Sequence, residues 1–186
     1  MLRHKTLITL AAAAVAAVAF GVTGAFADTA NVTATVSGGS LSESTSAAPS
    51  FSVTLNGSDQ TAIYTLPITV TEARGSGAGW NLTITSTQFS TGGGSPNTLP
   101  TNASTVASIT SSCAGGTCTN PTNSVTYPVG VPAGSGPPTA VKFFNAAANT
   151  GMGKFTVTPT IDVSVPANAY AGSYSSTVTL AVASGP

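Results

Sequence analysis

Residues 66–89 read LPITVTEARGSGAGWNLTITSTQF. Within them Trp80, Leu82 and Ile84 alternate with Asn81, Thr83 and Thr85, the period of two that puts one set of side chains on a single face of a strand. Upstream, Ile63 to Thr71 is rich in residues branched at Cβ, which suit a pleated surface. Arg74-Gly75 separates the two runs with turn composition. The stretch therefore reads as strand, turn, strand.

The same alternation recurs on both sides of this block. It is carried by Val32, Ala34 and Val36, by Phe51, Val53 and Leu55, by Phe155 to Val165, and by Tyr174 to Val182, where Ser176, Val178, Leu180 and Val182 share a face. No segment beyond residue 27 has a helical period, and Asn145 to Asn149 predicts at most a turn. Pro67 and Pro159 fall inside strand-like runs, so each should mark an edge position, a bulge or a strand switch. The expected architecture is all-β, a single antiparallel β-sandwich of Ig-like or Greek-key type over residues 28–186. Residues 90–139, rich in Gly, Pro, Ser, Thr and Asn, read as a long loop-rich excursion with weak strand signals at 105–110 and 124–129. Ser37 to Ser50 reads as a second, shorter loop.

Composition narrows function. The 186 residues include five Lys+Arg, five Asp+Glu and one His, so 5% of the chain is charged, against about 25% in an average soluble domain. Five scattered cations cannot make the basic face that nucleic acid requires. With 41% hydrophobic residues and no net charge, the chain lacks the signature of disorder. Met1 to Lys5 is basic, Leu7 to Ala19 is apolar, and Ala25-Phe26-Ala27 is a small-x-small triplet, which together read as a signal peptide over residues 1–27, cleaved after Ala27. The apolar run is too short and alanine-rich for a retained anchor, and no later stretch would span a bilayer.

Cleavage leaves three basic and five acidic residues, a net charge of 3 − 5 = −2, and removes His4. Without histidine there is no Ser-His-Asp or Cys-His catalysis and no commonest transition-metal ligand. The acids Asp28, Glu43, Asp59, Glu72 and Asp162 are isolated in sequence, so no calcium loop is visible, and a glycosidase pair would need distant carboxyls to meet in the fold. The expectation is no catalytic residue, no metal and no cofactor. Cys113 and Cys118 are expected to pair in an exported protein. Their six-residue loop gives about 2 kcal/mol in the chain-entropy model, and neither their spacing nor their neighbours suit redox exchange.

The Arg74-Gly75 turn, the Gly79-Trp80-Asn81-Leu82 segment and the Thr-rich strand that follows resemble the WxL cell-wall-binding domain of Gram-positive surface proteins. That family carries a second Trp-x-Leu near the C-terminus, opened by Tyr-x-x-Thr. Here Tyr174-Ser175-Ser176-Thr177 matches the opening, and Leu180-Ala181-Val182 stands in place of the second Trp-x-Leu. The resemblance implies a secreted, non-catalytic protein held without a covalent bond on peptidoglycan or another wall polymer, in company with other surface proteins. Leu99-Pro100-Thr101-Asn102 is internal and lacks the Thr-Gly ending of a covalent sorting signal.

Arg74, Trp80, Leu82 and Tyr174 are the candidate ligand-binding residues. The Trp80 indole suits stacking on a sugar ring, but an inward stripe explains Trp80, Leu82 and Ile84 together and favours the core. Arg74 either meets a wall carboxylate or phosphate, or pairs with Glu72. Tyr174 either makes a strand-end hydrogen bond or offers a stacking platform. Asn81, Thr83 and Thr85 occupy the face opposite Trp80, available to glycan hydroxyls. The rival reading is a coat or fimbria-like subunit that self-associates through sheet edges, since few charges guard them.

Overall fold

The computed structural model describes residues 29–186, so the signal peptide read over residues 1–27 lies outside the described residues. Val36 to Pro186 forms one compact unit. Thr29 to Thr35 has no regular secondary structure.

In chain order the strands are β1 (Leu41–Ser44), β2 (Gln60–Thr65), β3 (Ile68–Glu72), β4 (Trp80–Thr87), β5 (Ser104–Thr119), β6 (Val129–Gly130), β7 (Ala133–Gly134), β8 (Val141–Ala146), β9 (Met152–Val165) and β10 (Val178–Ser184). The larger sheet runs β1-β3-β9-β5-β6, with β2 also paired to β9. The smaller runs β10-β4-β7, with β8 on β4. The sheets pack as a β-sandwich. Ile68 and Val70 of β3 and Phe155, Val157, Ile161 and Val163 of β9 meet Trp80, Leu82 and Ile84 of β4 and Phe144 of β8 in one buried core. The alternation read in the sequence is the record of that burial.

The two prolines break the ladder at one place. β2 and β3 keep a continuous register along β9, Thr65 opposite Thr160 and Ile68 opposite Val157. At the gap the Leu66 N–H donates to the Pro159 carbonyl at 3.1 Å, but Pro159 has no N–H to return. Pro67 turns its carbonyl outward, where it accepts from the Thr45 hydroxyl at 2.8 Å, so its missing donor also faces away from β9.

Several sequence expectations are corrected. Residues 90–139 are not all excursion: within them β5, 16 residues long, pairs along β9 from Ser104 to Thr119. Its second half is exposed, so backbone pairing holds it there and no apolar alternation marks it. The loop at 37–50 contains β1, paired with β3. Val32 to Val36 and Phe51 to Leu55 have the strand period but no strand assignment. One contact is parallel rather than antiparallel, β4 with β7 through Ser86 and Thr87. Cys113 and Cys118 are joined by a disulfide, their Cα atoms 6.0 Å apart, across the irregular part of β5.

Candidate functional site

The turn after β3 and the start of β4 are tied together by Arg74. Its Nε donates to both Glu72 carboxylate oxygens, at 3.0 and 2.9 Å. Its Nη2 donates to Glu72 Oε2 and to the Gly79 carbonyl, and its Nη1 to the Ser184 hydroxyl of β10. The Arg74 backbone N–H adds a further bond to Glu72 Oε1 at 2.8 Å. One side chain thus pins β3, β4 and β10. The Glu72 side chain is only 4% exposed and that of Arg74 21%, so the pair is more sheltered than a surface bridge. Hydrogen bonding to Glu72 holds the Arg74 guanidinium further above its already high range. With a single N–H left unused, Arg74 serves the fold first.

Trp80, Leu82 and Ile84 have no exposed surface. The indole Nε1–H donates to the Gly151 carbonyl at 2.8 Å, and the ring lies 5.6 Å from that of Phe144. The tryptophan is therefore a satisfied core residue, the reading the inward stripe favoured. β10 lies beside it: Val182 pairs with Leu82 and Leu180 with Ile84, so the two motif positions of the chain are neighbours in one sheet. Tyr174 is placed at the other end of β4, next to the Ser90–Ser175 bridge, with its hydroxyl donating to the Tyr170 carbonyl at 2.9 Å. Arg74, Trp80 and Leu82 gather together, and Tyr174 does not join them.

Burying Trp80 and Leu82 fixes the residues between and beyond them. Asn81 and Thr83 face outward, in register with Ala183 and Ala181 of β10, and Thr83 is in register with Lys142 of β8. Thr179 continues this face and, like Lys142 and Ala181, is exposed. Asn81 Nδ2 donates to the Gly185 carbonyl at 2.8 Å, which leaves its amide oxygen free to accept. Thr85, expected on the same open face, is instead buried, its hydroxyl bonded to the Pro138 carbonyl at 2.9 Å.

A second feature was missed as a site. A cavity of about 1020 Å³ opens beside β10, lined by Phe51, Tyr64, Phe89, Tyr174, Val178 and Leu180 among others, with no charged residue on its wall among the described residues. Phe51 stacks on Tyr64 at 5.9 Å and meets Phe89 edge-on at 5.8 Å. Burial pushes the Tyr64 phenol up to about 12. The signal for this groove was the Phe51, Val53, Leu55 alternation, which marks a half-buried wall rather than a strand.

Among the described residues no three His, Cys, Asp or Glu side chains are grouped to hold a metal, and no helix is long and apolar enough to cross a membrane. The fold and the paired motif strands define a β-sandwich module. The family model for the WxL domain, described as surface cell wall-binding, matches residues 13–186, and the chain belongs to that family. Membership places it at the cell surface, with the wall as its partner. Neither a curated protein nor a solved structure gives a match.

Proposed function

We propose that this chain is a secreted, non-catalytic surface protein of a Gram-positive bacterium, freed of residues 1–27 on export, that holds to peptidoglycan without a covalent bond. Its contact surface is the open part of the smaller sheet's outer face. The observation that carries this reading is the division along β4: the Trp80-x-Leu82 motif is spent on the core, and so presents Asn81 and Thr83 beside Thr179 and Lys142. Amide and hydroxyl groups match the hydroxyls and acetamides of a glycan, and the one cation suits a stem-peptide carboxylate. A surface so poor in charge gives little steering, leaving affinity to hydrogen bonds spread along a polymer. The non-catalytic reading is supported by the engagement of two of the acids, Glu72 by Arg74 and Asp59 by the Ala167 N–H at 2.8 Å.

The test is co-sedimentation of the purified protein with peptidoglycan sacculi. Saturable binding is expected, weakened roughly tenfold in T83A/K142A/T179A through lost hydrogen bonds and charge. A folded wild-type protein that stays in the supernatant overturns attachment to peptidoglycan. A triple variant that sediments like wild type moves the contact to another face.

A further inference from the structure

Strand β10 is an edge. Thr177 accepts from the Thr87 N–H and Gly185 donates to the Gly79 carbonyl, so the odd-numbered residues of this segment direct their main-chain groups to β4. The even-numbered residues Val178, Leu180, Val182 and Ser184 therefore direct theirs away from β4. Among the described residues no strand pairs on that side; β1 of the larger sheet comes close to β10 but shares no ladder with it. An open main-chain ladder is a template for another strand, and this one borders the uncharged groove into which Val178 and Leu180 face. Residues 48–55, which form part of the groove wall, make no backbone hydrogen bond among the described residues, so a strand entering there would displace no ladder.

The same chain holds a segment of matching pattern. In Thr29 to Val36, Ala30, Val32, Ala34 and Val36 alternate with Thr29, Asn31, Thr33 and Thr35, without charge, proline or glycine. Val32 is 91% and Val36 94% exposed, and the segment belongs to no strand. Eight extended residues span about 26 Å, close to the roughly 23 Å of the seven-residue β10. A glycan would satisfy neither the ladder's spacing nor its pairing of donors with acceptors, whereas a strand with alternating apolar residues satisfies both.

We propose that residues 29–36 of one copy add as a strand to the outer edge of β10 in a second copy, seating Val32 and Val36 in the groove. Donor segment and acceptor groove are different surfaces of one chain, so the contact is heterologous and propagates into linear assemblies. The proposal stands independently of wall attachment, because the acceptor is the edge of β10 and not the outer face of its sheet.

Protein recovered from the medium of an expressing bacterium is examined by sedimentation velocity over a range of concentrations. The expected result is a mass that rises with concentration in multiples of one chain. In V32E/V36E the midpoint of assembly should move to at least about tenfold higher concentration, since two apolar side chains no longer enter the groove. Both positions are exposed, so this variant should fold, which Trp80 emission verifies. A fluorescein-labelled peptide with the sequence of residues 29–36 should bind V32E/V36E saturably, and the same peptide carrying both glutamates should not. Mixing V32E/V36E with V182P, which lacks an outward N–H on β10, should stop at a dimer of one copy each. If V182P does not fold, the peptide titration decides alone. Wild-type protein that stays monomeric at all concentrations, including through a segment folded onto its own chain, overturns the proposal. So does assembly unchanged in V32E/V36E, or a peptide that does not bind.

Discussion

Gly151 is the residue on which the Trp80 arrangement rests. It has a φ of 65°, and a Cβ added there would lie 2.5 Å from Ala146 Cβ and 2.7 Å from Trp80 Nε1. Gly151→Ala therefore carries two costs. The left-handed backbone costs about 1–2 kcal/mol for a residue with a Cβ, and forcing a methyl into a filled core costs about 1–3 kcal/mol more. The expected loss is about 2–5 kcal/mol, a large part of the roughly 5–15 kcal/mol that holds a typical domain. Gly75 supplies the control: its φ is 67° with nothing within 4 Å of the added Cβ, so Gly75→Ala should lose only the backbone part, about 1–2 kcal/mol. Trp80 is the one tryptophan of the chain, and its emission follows urea unfolding without a label. The excess loss of about 1–3 kcal/mol, divided by a slope of about 1–3 kcal/mol/M, should place the G151A midpoint about 0.3–3 M below that of G75A. Equal midpoints for the two variants would refute the claim that the indole is fixed against the Gly151 backbone.

Arg74→Met should cost about 3–5 kcal/mol, because it strands the buried Glu72 carboxylate; in a double-mutant cycle the added Glu72→Gln should recover part of that loss, measured by urea midpoints. The raised Tyr64 pKa, about 12 against 10.0, means the folded state holds the phenol proton more tightly than the unfolded chain. That contribution is complete below pH 10 and is lost as pH rises toward 12, at up to about 1.4 kcal/mol per pH unit. Unfolding midpoints at pH 9 and pH 11 should therefore differ less in Tyr64→Phe than in wild type. Cys113→Ser with Cys118→Ser should lower stability by about 2 kcal/mol while near-ultraviolet circular dichroism stays native, because the bridge closes a short loop at the exposed end of β5.

What the sequence revealed was burial, and what it concealed was pairing. Trp80 to Ile84, Ile63 to Thr71 and Phe155 to Val165 were legible because each packs one face into the core. The end of β5 was illegible because it lies beyond the core, where β9 supplies hydrogen bonds but nothing covers the side chains. β8 failed for the opposite reason: Phe143 to Ala146 is buried at every position, and a register shift opposite Leu82 and Thr83 interrupts its pairing. Val32 to Val36 and Phe51 to Leu55 showed the alternation without a ladder. The Arg74–Glu72 pair was readable from two residues of spacing, but not its reach to Gly79 and Ser184, which depends on the antiparallel return of β10.

The replacement of the second Trp-x-Leu by Leu180-Ala181-Val182 has a structural counterpart in the groove beside β10. Leu180 is half-buried, lines that cavity and pairs with Ile84, so it stands where a tryptophan of the usual motif would project. A smaller side chain at that position leaves the groove wider. Leu180→Trp should restore the missing contacts and stabilise the isolated chain by about 1 kcal/mol through added apolar burial. The same change should impair strand addition at β10 by occupying the seat of the incoming valines. In a Trp80→Phe background the new indole would be the only tryptophan, and it should emit at short wavelength and be shielded from iodide. A solvent-exposed emission, or a lower unfolding midpoint than the Trp80→Phe parent, would show that the groove does not fit the side chain the motif calls for, and would break the link between the degenerate motif and the open edge.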